Sequence, residues 1–181
     1  MITSKAEIVE LAISVSLLSL SATLLNLNVE SDLVNTMYFK TVSLHPLFSI
    51  ISLLSEFYIC IVLSAASFVY YRGRGKGRAS LFGLILALAI TYLAKEAISR
   101  PRPELFYSSH DSFPSGHLSG ITSTFRPFIN SRLKALLFTS LIILVGVSRI
   151  GLGAHYPSDV LAGFSIGLLS SLSVRILMRL K

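Results

Sequence analysis

The sequence predicts an all-α fold: a polytopic membrane helix bundle of about six transmembrane helices, with both termini on the cytoplasmic side. Three observations predict it. Hydrophobic residues make up 52% of the 181 and charged residues only 14%, with a mean hydropathy of +0.71; a soluble domain carries about 25% charge. Six apolar runs follow one another, most of them near the ~20 residues that cross a bilayer as a helix. The basic residues divide unequally between the two sides that such runs define. Water is therefore the wrong solvent for most of this surface, and the chain reads as a single membrane domain over residues 1–181. The one cysteine, Cys60, excludes an intrachain disulfide.

Residues 8–27 form the first span. A signal peptide with a small-residue cleavage site at Ser21-Ala22-Thr23 is the alternative, but Glu7 and Glu10 stand where a basic n-region belongs, so a retained helix is expected. Residues 28–45 are mixed in character and suit a connector at the interface. The second span, 46–70, opens on Pro46 and closes on the headgroup-level pair Tyr70-Tyr71. Glu56 falls within it, where a carboxyl is either functional or, the expectation here, faces the bundle and joins two helices. Residues 72–78 alternate basic residues with glycine. Glycine after Lys76 rules out a phosphate-cradling Gly-x4-Gly-Lys-Ser/Thr loop, and so short a segment between spans is a cytoplasmic loop rather than a nucleic-acid arm.

Residues 79–99 form the third span, with Lys95 near its far end. A polar loop, 100–113, leads to a fourth span over 115–128 that ends at Pro127. After a basic turn at 130–134 comes the fifth span, 135–147, short unless Ser148 and Ile150 extend it. The sixth covers 157–178, and its Gly163-x3-Gly167 pair permits close approach of a neighbouring helix.

With six spans, eleven of the sixteen basic residues fall on one side: Lys5, Arg72, Arg74, Lys76, Arg78, Arg126, Arg132, Lys134, Arg175, Arg179 and Lys181. The remaining five are Lys40, Lys95, Arg100, Arg102 and Arg149. The richer side should be cytoplasmic, which turns His155 and its neighbours to the extracytoplasmic face of the cell membrane.

Three segments meet on that outer face: Lys95 with Arg102-Pro103, Pro114-Ser115-Gly116-His117, and Ser148-Arg149 with His155 and Asp159. Each alone has an ordinary explanation. A lysine near a helix end snorkels, Pro-Ser-Gly starts helices, and a lone histidine is usually packed. Together they gather three cations, two histidines and a helix N-terminus in one layer, and clustered cations need an anion among them. A phosphoryl group fits. Lys95, Arg102 and Arg149 would offset its charge, the backbone N–H groups of Ser115, Gly116 and His117 would form an anion site, and the Ser115 hydroxyl would add a donor. Asp159, four residues after His155, can fix its tautomer and leave the other ring nitrogen nucleophilic. His117 is then the general acid, and later the base that activates water. Neither a metal nor a cofactor is expected: His110-Asp111 comes nearest to ligand spacing, but adjacent residues point apart, and His110 reads as an exposed loop residue. His45 reads as interfacial.

Lys95-x6-Arg102-Pro103, Pro114-Ser115-Gly116-His117 and Ser148-Arg149-x5-His155-x3-Asp159 resemble, in order and spacing, the three-part signature of the type 2 phosphatidic acid phosphatase superfamily. All signature positions match over residues 95–159. The resemblance implies metal-independent dephosphorylation of a membrane lipid phosphate through a phosphohistidine. His155 would be the nucleophile, His117 the acid and Asp159 the orienting partner, with Lys95, Arg102, Ser115, Gly116 and Arg149 binding phosphate. Soluble vanadium haloperoxidases share the signature, but the hydropathy argues for the membrane branch. The expected substrate is a polyprenyl diphosphate at the outer leaflet, its tail between the third to fifth helices. Phosphatidylglycerophosphate or phosphatidic acid is the first alternative, and a lipid phosphotransferase the second. A transporter or scaffold that retains an anion site is the rival from another class.

Overall fold

The computed structural model describes residues 4–27, 29–103 and 111–178. His110 and the basic end at Arg179 and Lys181 lie outside them. Among the described residues all regular structure is helical: α1 (Lys5–Leu27), α2 (Ser31–Lys40), a 3-10 turn (Val42–Leu44), α3 (His45–Leu53), α4 (Phe57–Tyr70), α5 (Gly75–Ile98), α6 (Gly116–Phe125), a second 3-10 turn (Arg126–Phe128), α7 (Arg132–Gly151) and α8 (Pro157–Leu177).

Five stretches are long and apolar enough to cross a membrane: α1, α5, α7, α8 and the run Val42–Tyr70. Helix α1 makes the solvent plain. The residues it buries are Glu10, Ser14 and Ser21, while Ile8, Val9, Ile13, Val15 and Leu20 are exposed. An apolar exterior around a polar seam is stable only where lipid surrounds it.

The fourth expected span departs from the rule of length. Helix α6 has ten residues, about 15 Å at 1.5 Å per residue, with a three-residue turn after it. It is sheathed by other helices rather than by lipid: every residue from Leu118 to Thr124 is buried. It nevertheless carries the chain from His117 at the site to Arg126, which binds Glu10 near the start of α1.

The second expected span is interrupted. Residues 54–56 leave the helix, with Glu56 extended (φ −58°, ψ 143°) and the Ser55 hydroxyl donating to the Ser52 carbonyl at 2.8 Å. Hydroxyl-to-backbone bonds of this kind compete with helical pairing. The third and fifth spans instead run longer than expected. Helix α5 starts inside the basic loop, at Gly75, and α7 fills Arg132–Gly151 with the Ser131 hydroxyl accepting from the Lys134 amide at its start.

Close approach of backbones fixes the centre of the bundle. A Cβ at Gly163 would lie 2.3 Å from the Ser115 carbonyl oxygen, and one at Gly167 would lie 2.5 Å from Thr122 Cβ. The Gly-x3-Gly pair thus seats α6 on α8. Hydroxyls join the other neighbours: Ser64 pairs with Ser80 at 3.0 Å and Thr124 at 3.2 Å, linking α4, α5 and α6, while Thr91 donates to Ser119 at 2.8 Å. At the end away from His155, the Glu10 carboxylate accepts from Arg126 at 2.8 and 2.6 Å and also from Arg175, so the start of α1 and the end of α8 lie together. Near the other end, the Ser21 hydroxyl donates to the Ser158 carbonyl at 2.9 Å. Helices α1 and α8 are therefore antiparallel neighbours along most of their length.

Candidate active site

Helix ends build the site. Lys95 lies in the last turn of α5, and Gly116 and His117 in the first turn of α6. His155 sits just before α8, in the short link that leaves α7 through Gly153 at φ +67°. These segments enclose a cavity of about 450 Å³ whose wall includes Lys95, Arg102, Gly116, His117 and His155, with Phe57, Leu88 and Tyr92 on its apolar side. Five of the eight candidate residues thus face one space.

The other three are set back from it. Asp159, fully buried in the first turn of α8, holds its Oδ2 3.5 Å from His155 Nδ1. The same oxygen accepts from the Tyr156 amide at 2.8 Å and from the Ser112 hydroxyl, while Oδ1 accepts from Arg100 Nη1 at 2.7 Å. A carboxylate held by three donors and facing an imidazole is a fixed orienting group. Arg149 lies on a second, polar cavity of about 280 Å³, where its Nη1 donates to the Ser52 hydroxyl at 2.5 Å. Glu56 stands on the walls of both cavities. Ser115 is fully buried at the N-cap of α6, and its amide donates to the Asp159 carbonyl at 2.9 Å. Of the three amides expected to meet an anion, that one is engaged, and those of Gly116 and His117 open the helix.

The two histidines differ in their carboxylate partner: Asp159 lies beside His155, and Glu56 beside His117. His155 is 2% exposed, and burial pushes its pKa from 6.5 down to about 3, against the pull of the nearby Asp159 carboxylate and with the Arg149 cation adding to the fall. The ring is neutral at physiological pH, as a nucleophile must be. His117 places Nε2 3.1 Å from Glu56 Oε1, so the carboxylate fixes the orientation of the ring at the cavity wall. Lys95 and Arg102 hold a carboxylate of their own. Arg102 donates from Nε and Nη2 to the two oxygens of Asp111 at 2.9 and 3.1 Å, and Lys95 donates to the Asp111 carbonyl.

A family model described as the PAP2 superfamily matches residues 76–181. The chain belongs to the PAP2 superfamily. Among PAP2 relatives, phosphatidylglycerophosphatase B of Bacillus subtilis (strain 168) is 33% identical over 124 residues, 60% of this chain and 61% of that protein. The chain thus matches less than two thirds of that relative's length. An undecaprenyl-diphosphatase of Sulfolobus acidocaldarius is 27% identical over 151 residues, 77% of this chain and 73% of that one. The crystal structure of a transmembrane PAP2-type phosphatidylglycerolphosphate phosphatase from Bacillus subtilis is similar with a TM-score of 0.73 at 25% identity, covering 94% of this chain and 96% of that one.

Sequence reasoning missed the residues behind the first line. Arg100 and Ser112 belong to the stretch read as a polar loop, and Glu30 to the connector, yet all three meet at Asp159 or its neighbour Ser158. A lone carboxylate in a connector gives no periodic signal. Arg100 had one faint mark, a cation on the side of the membrane that should be poor in them. Glu56 carried the stronger signal of a charge within an apolar run, and it does join two helices, α4 and α6, through His117.

Proposed function

We propose that this PAP2 protein removes a terminal phosphate from a membrane lipid through a phosphohistidine at His155, without a metal ion. One observation carries the reading: Lys95, Arg102, Gly116, His117 and His155, from three distant segments, share the wall of one cavity beside an apolar flank. The phosphoryl group rests against Lys95, Arg102 and the amides of Gly116 and His117, with Arg149 adding charge from behind. Neutral His155 attacks phosphorus through the nitrogen not turned to Asp159, and the bond to the lipid oxygen breaks as His117 supplies that oxygen a proton. His117 then takes a proton from water, whose oxygen attacks phosphorus, breaking the N–P bond, returning neutral His155 and freeing inorganic phosphate. Asp159 supports the positive charge that the ring acquires while phosphorylated.

The favoured substrate is a polyprenyl diphosphate, a reading supported by the long alignment with the undecaprenyl-diphosphatase. Phosphatidylglycerophosphate is the second reading, favoured by the end-to-end likeness to the Bacillus phosphatase. The chain crosses the membrane six times, with α6 as the deep, short crossing, and turns its site outward and both ends to the cytoplasm. A cysteine placed at Gly75 should resist impermeant label on intact cells; ready labelling would reverse that orientation. For the chemistry, phosphate release from farnesyl diphosphate and dioctanoyl phosphatidate is measured in detergent with chelator present. His155→Ala should abolish release, and wild-type activity should survive the chelator. Near-normal turnover of His155→Ala, or loss of wild-type activity with chelator, would overturn the reading.

A further inference from the structure

Behind His155 the charges alternate through buried space. Asp159 Oδ1 accepts from Arg100 Nη1 at 2.7 Å, and Arg100 Nη2 donates to Glu30 Oε2 at 3.0 Å. The Arg100 guanidinium lies 3.7 Å from the centre of the Tyr156 ring, which shields it from above. Glu30 is itself tied down, accepting from the Ser158 amide at 2.7 Å and from the Ser158 hydroxyl. Asp159 is fully buried and Glu30 is 4% exposed, so water screens these charges little.

Arg100 has two opposite effects on Asp159. Its hydrogen bond holds the carboxylate in place, but its positive charge opposes the cation that a phosphorylated His155 would carry. Glu30 cancels that second effect. With Glu30 ionised, the pair Arg100–Glu30 is neutral as seen from the ring, and Asp159 keeps its full attraction for the imidazolium. We propose that Glu30, acting through Arg100, is a positioning residue for the nucleophile, completing a charge row His155–Asp159–Arg100–Glu30 that ties the connector at the start of α2 to phosphoryl transfer. This rests on the assignment of His155 as the nucleophile made above.

The test compares Glu30→Gln, Arg100→Gln, the double variant and Glu30→Asp with wild type, on farnesyl diphosphate, as kcat and KM per monodisperse protein. Glu30→Gln keeps shape and removes charge; kcat should fall about tenfold, the lower end for removing a carboxylate that supports a histidine through a second group, with KM within about twofold because phosphate is bound elsewhere. Arg100→Gln should fall further. The double variant should match Arg100→Gln alone, since on the charge row the Glu30 charge serves the ring by offsetting that of Arg100, whereas a loss of its separate ties to Ser158 would act independently and multiply. Glu30→Asp, which keeps the charge, should recover most of the lost rate. Wild-type kcat in Glu30→Gln, multiplied losses in the double variant, or a Glu30→Asp no better than Glu30→Gln would each overturn the charge row. His155→Ala, measured alongside, separates the two readings: an active His155→Ala removes the nucleophile itself, while an inactive one beside a fully active Glu30→Gln removes only the charge row.

Discussion

The Asp111 carboxylate holds the cations that the proposed mechanism assigns to the phosphoryl group, and its removal has a calculable consequence. It binds Arg102 through two hydrogen bonds at 2.9 and 3.1 Å, and its Oδ2 lies 4.0 Å from Lys95 Nζ. An incoming phosphate must displace it. Unscreened, such a pair would be strong, but the Asp111 side chain is 45% exposed, so its worth is near the upper end for surface ion pairs, about 1 kcal/mol. Asp111→Asn releases that competition, and the affinity for a phosphate-like anion should rise about fivefold, the equivalent of that energy. Inhibition by orthovanadate, whose trigonal-bipyramidal adducts mimic phosphoryl transfer, reads this directly: Ki should drop by that factor while kcat changes little. A weaker orthovanadate affinity in Asp111→Asn would refute the argument, because it would mean that Asp111 helps to hold Lys95 and Arg102 in their binding positions instead of competing for them.

Two further outcomes follow from burial and packing. His155 has its pKa lowered to about 3 in the folded chain, so the unfolded chain binds the proton first and stability is lost as pH falls below 6.5; at pH 5 the loss is about 2 kcal/mol. Thermal unfolding in detergent between pH 7 and pH 5 should therefore weaken wild type more than His155→Gln, and equal pH dependence would contradict a buried neutral ring. At Gly163, a methyl group would meet the Ser115 carbonyl at 2.3 Å, a backbone atom that has no flexible tail to give way. Gly163→Ala should cost about 1–3 kcal/mol and, by shifting the start of α6, lower kcat about tenfold or more; an unaltered melting temperature and rate would show that α6 and α8 can part without consequence.

How far the sequence could be read depended on the kind of information each residue carries. The long spans were legible because lipid demands length and hydropathy, and α1 and α8 fall within a few residues of expectation. Helix α6 was legible in extent, with 115–128 expected and Gly116–Phe125 plus the turn to Phe128 observed, but its sheathing by other helices, which frees it from matching the bilayer, was not. The break at residues 54–56 was unreadable, since a serine hydroxyl bonded to a backbone carbonyl, as Ser55 is to Ser52, also occurs at Ser14 inside the unbroken α1. That Lys95, Arg102, His117 and His155 gather at one cavity could be expected from type and spacing. Arg100 and Glu30 could not: the partners that give them meaning come from three separate stretches, and neither residue departs from what a polar connector ordinarily contains. Ser115 was placed correctly at the start of α6, but its amide was assigned to an anion, whereas it serves the Asp159 carbonyl.

The first helix reverses the ordinary sense of a conservative exchange. With Glu10, Ser14 and Ser21 turned inward and isoleucine, valine and leucine turned outward, swapping one greasy side chain for another along its outer surface should pass unnoticed. Trading Ser14 for leucine, a gain in hydropathy that would look harmless on any membrane helix, would instead drive a bulky group into the seam against its neighbours. In this part of the chain tolerance to mutation follows volume and polarity at the seam, and a scale of lipid preference alone would rank the dangerous changes as the safe ones.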